Sequence, residues 1–156
     1  DNVMLGERLR SEQPDKARAL DLLARVGLTE NANNLPAKLS GGMRQRTALA
    51  RTLMEDRPVV LMDEPFSALD AITRIRLQDM AAELLKDRTV LLVTHDPLEA
   101  LRLGDRIHVM SGRPVKLDEP LTPPGTAPRD LHDPAVLEGQ ADLLERLAAA
   151  DQDKAA

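Results

Sequence analysis

The sequence contains no cysteine, tryptophan or tyrosine, and Phe66 is its one aromatic side chain. Disulfides and thiolate metal sites are therefore excluded, and the lack of cysteine fits a reducing compartment. The core has to be built from aliphatic side chains. Aromatic platforms on which nucleic-acid bases could stack are missing as well, which argues against a single-stranded nucleic acid as partner.

A basic surplus and long apolar runs are also missing. With 21 Lys and Arg against 26 Asp and Glu, the net charge is −5, so the chain offers no footprint for a phosphate backbone. No apolar run approaches the roughly 20 residues that span a bilayer. Neither a signal peptide nor an initiator Met is visible at the N-terminus, and we expect the chain to begin inside a longer protein. What is present is 156 residues, 42% of them hydrophobic, enough for a domain with a core.

Apolar spacing and breaker residues predict alternating helices and strands. Helices are predicted at residues 14–26, 42–54, 71–86, 97–103 and 135–150. Two uninterrupted apolar runs, Val59–Met62 and Thr89–Val93, predict parallel strands that are covered on both faces. Residues 107–110 and 114–117 predict a hairpin around Ser111-Gly112. This order predicts an α/β fold, a parallel sheet flanked by helices.

The C-terminal part reads as a stiff linker followed by an amphipathic helix. Four prolines between residues 120 and 128 predict an extended linker. In the helix that follows, one predicted apolar face consists of Leu137, Ala141, Leu144 and Ala148.

Ser40-Gly41-Gly42 lies directly before a predicted helix. Ser40 is a favourable N-cap, and the two glycines allow a ligand to approach the backbone closely. A helix N-terminus with unpaired N–H groups suits a phosphate. An ordinary capped helix after a loop explains the same residues, and the local sequence leaves both interpretations open.

Asp63-Glu64 ends the first predicted strand, where Pro65 stops it. Ligands of open α/β sheets sit at the carboxyl ends of parallel strands. One carboxylate there can hold Mg²⁺, usually through water, and its neighbour can orient or deprotonate an attacking water. An acidic turn that simply runs into solvent is the alternative.

His95 follows the next strand, and it is a candidate site residue only if the two strands are neighbours.

Residues 67–70 can be a helix-entry turn with Asp70 as its cap. The arginines that follow the glycines are expected to form a solvated helix face; these are Arg44, Arg46, Arg51 and Arg57.

The four polar signatures together resemble the C-terminal part of an ABC-type nucleotide-binding domain. LSGGMRQR (39–46) resembles the signature motif, VVLMDEP (59–65) the Walker B strand, SALD (67–70) the D-loop and VTHD (93–96) the H-loop. Met43 replaces the glutamine most common in the signature, a substitution that importer ATPases for sulfonates, taurine and nitrate often share. The segment after His95 is similar to bacterial importer ATPases. The resemblance implies a P-loop NTPase fold with a helical signature subdomain at residues 1–57, part of the ATPase core at 58–118, and a linker with a terminal helix at 119–156.

The resemblance also implies roles for individual residues. Asp63 would serve Mg²⁺, Glu64 the attacking water, and His95 the γ-phosphate. The signature turn of Ser40, Gly41 and Gly42 would contact ATP held by a second subunit in a head-to-tail pair, with Asp70 in the adjoining D-loop. The implied partners are that second ATP-binding subunit, membrane-spanning permease subunits and, indirectly, a periplasmic or lipid-anchored solute-binding protein. The implied location is peripheral, on the cytoplasmic face of the inner membrane.

The phosphate cradle of this family is missing from the chain. None of the eight glycines begins G-x-x-x-x-G-K-[ST], and the Q-loop also lies upstream in the family. We therefore expect a truncated or split ATPase subunit that, alone, neither binds ATP tightly nor hydrolyses it. The open sheet edge would invite aggregation.

Two further readings remain open. One is a DNA-repair or chromosome-maintenance ATPase lobe, although residues 1–34 predict only one short helix and no coiled coil. The other is a non-catalytic partner subunit. The tail, PPGTAPRD (123–130), is similar to importers of the thiamine precursor hydroxymethylpyrimidine.

Overall fold

The structure is a computed structural model that describes the backbone of residues 1–155 and the side chains of residues 1–150. The chain forms two compact units, Asp1–Leu91 and a second from Leu92 onward. Within the described residues no helix is both long and apolar enough to cross a membrane.

The first unit is mainly helical. Its helices are α1 (Leu5–Leu9), α2 (Lys16–Arg25), α3 (Gly41–Met54) and α4 (Ala71–Leu84), with 3₁₀ turns at Thr29–Asn31 and Pro36–Lys38. Helix α1 has only five residues and was not predicted from the sequence. Gly6 of α1 lies against the carboxylate of Glu55, which would have to move if a Cβ were added there.

Helices α2 and α3 pack against each other. Asp15 caps α2 by accepting the N–H of Arg18 at 2.9 Å, and Gly27 follows the helix with φ +68°. Gly27 thus ends α2 in the left-handed conformation that glycine adopts readily after a helix. The side chain of Arg46, on α3, donates to the carbonyl oxygens of Val26 and Gly27 at 3.1 and 3.4 Å, which ties the end of α2 to α3.

Strands β1 (Val59–Asp63) and β2 (Thr89–Val93) form a two-stranded sheet. The N–H of Thr89 donates to the carbonyl of Pro58 at 2.9 Å, so both strands start at the same edge and run parallel. The predicted α/β fold, a parallel sheet flanked by helices, is confirmed.

The predicted burial of these strands on both faces is wrong. Val60 is 3% exposed, but Leu61 is 72% exposed, and Val59, Val90 and Leu91 are exposed as well. Burial in β1 alternates because the helices of this unit cover only one side of the strand. Uninterrupted apolar residues indicate a parallel strand. They do not show whether other elements of the chain cover both of its faces.

The second unit contains α5 (Pro97–Leu103), β3 (Met110–Ser111), β4 (Lys116–Leu117) and α6 (Pro134–Ala155). The predicted hairpin is confirmed with shorter strands: Met110 pairs with Leu117 and Ser111 with Lys116. The core of this unit joins α5, the segment before the hairpin, and α6; its buried members are Leu101, Ile107, Val109, Val136, Leu143 and Ala150.

The predicted apolar face of α6 is wrong by one position. Leu143 is 2% exposed, whereas Leu144 is 52% exposed, and Leu137 is also exposed. Both sets recur at helical spacing, so the pattern alone does not choose between them. Gly139 lies one turn before Leu143, and a Cβ there would lie 2.8 Å from Cδ2 of Leu101, so α5 and α6 pack closely on this side.

A buried arginine anchors the linker before α6. Arg129 is 4% exposed, and its guanidinium donates to five backbone carbonyls, those of Leu101, Gly104, Pro123, Pro124 and Gly125. These bonds use all five guanidinium donors. The linker is also tied to α5 by Arg102, whose Nε donates to the carbonyl of Arg129 at 3.1 Å and whose carbonyl accepts the N–H of Arg129 at 2.9 Å.

Candidate functional site

The signature turn is built as a capped helix start. Ser40 has φ −63° and ψ 167°, and its Oγ accepts the N–H of Met43 at 3.2 Å. This confirms Ser40 as the N-cap of α3. Capping leaves other N–H groups of the first turn without partners inside the helix, where they give a partial positive potential.

Gly42 lies close to the D-loop. A Cβ on Gly42 would lie 3.0 Å from Cδ2 of Leu69 and 3.7 Å from Cγ2 of Thr73, so Leu69 would have to shift slightly to admit it. A Cβ on Gly41 would lie 3.7 Å from the carbonyl oxygen of Ala68, which is an ordinary van der Waals distance. Close approach inside the chain is therefore used at Gly42. The structure brings Gly41 and Gly42 together with the segment that leads into Asp70.

Asp70 is the N-cap of α4. Its Oδ1 accepts the backbone N–H of Thr73 at 3.0 Å, so the helix-entry interpretation is confirmed. Bonds from the backbone of Thr73, and then from its side chain, hold the pKa of Asp70 below its usual range. Asp70 stays charged beside the N-terminus of α4, and that charge is favourable there.

Asp63 and Glu64 lie where the sequence predicts them, at the carboxyl end of β1. Asp63 is the last strand residue and is exposed, and Glu64 is half-buried. Glu64 has φ +47°, a left-handed backbone that is uncommon outside glycine. Its carbonyl oxygen accepts the Oγ–H of Ser67 at 3.0 Å and the N–H of Ser67 at 3.4 Å.

His95 lies in the second unit, just beyond β2, and its side chain is exposed. Its neighbours are fixed by local hydrogen bonds. Thr94 Oγ1 accepts the N–H of Asp96 at 3.0 Å, and Asp96 Oδ1 caps α5 by accepting the N–H of Leu98 at 3.0 Å and of Glu99 at 3.3 Å. The joint action of His95 with Asp63 and Glu64 stays a prediction.

Asp63 and Glu64 fit only a Mg²⁺ site that is completed by waters and substrate phosphates. No group of three or more His, Cys, Asp or Glu side chains that could hold a metal occurs among the residues described. A complete protein cage is therefore not available there. Mg²⁺ in nucleotide sites, however, is bound through one or two carboxylates together with waters and substrate phosphates. Exposed Asp63 can supply such a carboxylate.

Two arginines of the signature segment have structural contacts that the sequence analysis missed. Arg44 donates to the carbonyl of Leu39 at 2.7 Å, and Arg46 to the end of α2. The expected solvated arginine face is therefore wrong for Arg46. Since α2 has a partial negative charge at its C-terminus, a cation there is favoured.

The fold is of the α/β class, a parallel sheet flanked by helices with Asp63 at the carboxyl end of a strand. The model of the family described as "ABC transporter" matches residues 1–67. An ABC transporter ATP-binding protein of Haemophilus influenzae is 47% identical over 152 residues, which cover 94% of this chain and 63% of that protein. The aliphatic sulfonates import ATP-binding protein SsuB 1 of Rhodococcus jostii is 45% identical, over 97% of this chain and 60% of that protein.

A solved structure supports the same assignment. An ABC transporter of metal-chelate type, in an inward-facing conformation, matches with a TM-score of 0.65 and 25% identity, over 76% of this chain and 51% of that chain. Over nearly its whole length the chain is similar to ABC transporter ATP-binding proteins, in agreement with the resemblance. It spans 63% and 60% of the length of the two relatives above.

Proposed function

We propose that this chain is part of the ATP-binding, ATP-hydrolysing subunit of an ABC importer, which energises uptake of a small solute. The observation that carries the proposal is the Asp63-Glu64 pair at the carboxyl end of β1, the place where open α/β sheets bind ligands. The importer names among the relatives support the transport class.

The side chains of the site have separate roles in this proposal. Asp63 would hold Mg²⁺, which would supply positive charge to neutralise the phosphates. Glu64 orients the attacking water and accepts its proton. His95 donates a hydrogen bond to the γ-phosphate.

The signature turn acts across a pair of subunits. Ser40, Gly41 and Gly42 present hydrogen-bond donors to ATP held by a second ATP-binding subunit. Asp70 fixes the start of α4 next to this turn. The head-to-tail pair would then close around two nucleotides.

The remaining partners follow from the importer class. They are membrane-spanning permease subunits and, through these, a solute-binding protein, with the ATPase on the cytoplasmic face of the membrane. The names of the relatives favour an organic anion of the aliphatic sulfonate type as solute. The hydroxymethylpyrimidine importers suggested by the tail are the alternative.

Residues 1–156 alone are not expected to turn over ATP. They contain no G-x-x-x-x-G-K-[ST] segment, so the lysine and most backbone donors that stabilise the phosphates are absent. The apolar side of β1, with Leu61 exposed, also lacks cover.

The test compares ATP turnover by the purified chain with turnover by the same chain fused behind the N-terminal segment that the Haemophilus influenzae relative has in addition. We expect no turnover from the chain alone and Mg²⁺-dependent turnover from the fusion. Turnover by the chain alone that Glu64→Gln abolishes would refute the expected inactivity. A well-folded fusion that binds no ATP would refute the proposed function.

A further inference from the structure

The backbone of Glu64 is unusual for its position. In the part of the chain that the structure describes, the non-glycine residues with positive φ are Ser11, Asp56 and Glu64. Ser11 and Asp56 directly follow the C-caps of α1 and α3, where a left-handed residue commonly ends a helix. Glu64 follows a strand instead, so helix capping does not account for its conformation.

The next residue opposes this conformation. A residue before proline is restricted and favours extended backbone, and Glu64 precedes Pro65. A left-handed, non-glycine backbone persists only when its surroundings hold it, and such residues cluster at functional sites. Some contact in this turn must therefore hold Glu64.

Ser67 supplies that contact with two donors. Its Oγ–H and its N–H both donate to the carbonyl oxygen of Glu64, at 3.0 and 3.4 Å. Between the two residues, Phe66 is 1% exposed and anchors the turn in the core. Ser67 thus fixes the carbonyl of Glu64 by hydrogen bonds, and buried Phe66 fixes the turn by packing in the core.

We propose that Ser67 is a positioning residue for Glu64. It holds the left-handed backbone of Glu64 and thereby sets the direction of the Glu64 side chain at the end of β1. This inference rests on the proposed function, in which Glu64 orients the attacking water. A carboxylate that is already oriented avoids reorganisation when the reaction occurs. Ser67 itself touches no reacting atom in this scheme.

The test is an NMR comparison of the isotope-labelled full chain with Ser67→Ala, Ser67→Thr and the matched control Ser111→Ala, which removes a hydroxyl from the hairpin. Positive φ brings the amide proton and Hα of one residue close together, which gives a strong intraresidue NOE. We expect this NOE at Glu64 in the unsubstituted chain, in Ser67→Thr and in Ser111→Ala. In Ser67→Ala we expect the Glu64 NOE to weaken severalfold. We also expect the Hα–Hβ couplings of Glu64 to move towards rotamer-averaged values.

Two results would overturn the inference. One is a Glu64 NOE that is unchanged in Ser67→Ala, and the other is a loss in Ser67→Thr equal to that in Ser67→Ala. Phe66→Leu, which keeps Ser67 while loosening the anchor, should weaken the NOE less than Ser67→Ala does. This measurement needs no nucleotide, so an inactive fusion protein would count against the proposed function and not against the role of Ser67.

Discussion

The guanidinium of Arg46 donates a hydrogen bond to the carbonyl oxygen of Val26 at 3.1 Å. This bond joins the helix that starts at the signature turn to the end of the preceding helix. The position of α3, and with it the direction of its N-terminus, therefore depends on an arginine that belongs to the signature segment.

Replacing Arg46 by alanine should destabilise the first unit. The carbonyls of Val26 and Gly27 would lose a charged donor, which typically costs about 1.5–3 kcal/mol. Urea unfolding followed by circular dichroism measures this loss. Arg76→Ala, at an exposed position of α4, is the matched control and should change stability by less than about 0.5 kcal/mol. Equal effects of the two substitutions would contradict the role given to Arg46.

The two neighbouring leucines of α6 should respond differently to truncation. Leu143 lies in the core of the second unit, and Leu143→Ala should cost about 2–5 kcal/mol. Leu144 is exposed, and Leu144→Ala should change stability by less than about 0.5 kcal/mol. Thermal unfolding of the two variants compares them directly. The reverse order would restore the face predicted from the apolar pattern.

Arg129 should resist even a conservative substitution. Lysine keeps the charge but cannot reach five carbonyls in a fixed fork, so Arg129→Lys should cost about 3 kcal/mol or more. Exposed Arg106→Lys serves as control. Hydrogen exchange of α5 and α6 amides should quicken in the first variant and not in the second. A harmless Arg129→Lys would show that the buried network contributes little.

The cap at Asp70 should make part of the stability depend on pH. Because the folded-state pKa of Asp70 is lowered, the stabilisation is complete above the unfolded pKa of about 3.9 and is lost as pH falls through the folded pKa. The loss in Asp70→Ala, measured by urea unfolding, should be largest near neutral pH and shrink below about pH 4. Asp21→Ala, at an exposed position of α2, gives the comparison. A loss that stays constant into acid would exclude this charge effect.

The features that could be predicted from sequence are the local ones. Ser40 and Asp70 cap helices because an N-cap needs only a short polar side chain and the N–H a few residues on. The parallel strands were recognisable as uninterrupted apolar runs. The exposure of these strands could not be predicted, because the elements that cover a strand are distant from it in the chain.

The missed features depend on single long-range or strained contacts. The buried side of α6 is the one where Gly139 lies close to Leu101, and nothing in the helix's own pattern indicates that contact. The left-handed backbone of Glu64 opposes what Pro65 favours. The sequence signal for the structural role of Arg46 is its position one turn after the signature glycines. Its contact with the end of α2 is seen only in the structure.

ATP turnover by the fusion protein with Glu64→Gln tests whether Glu64 acts on the attacking water, as proposed. We predict a loss of about 100-fold or more in kcat, with ATP binding retained, while the control Glu83→Gln, at an exposed position of α4, keeps full turnover. Equal turnover by the Glu64→Gln protein and the unsubstituted protein would contradict the account.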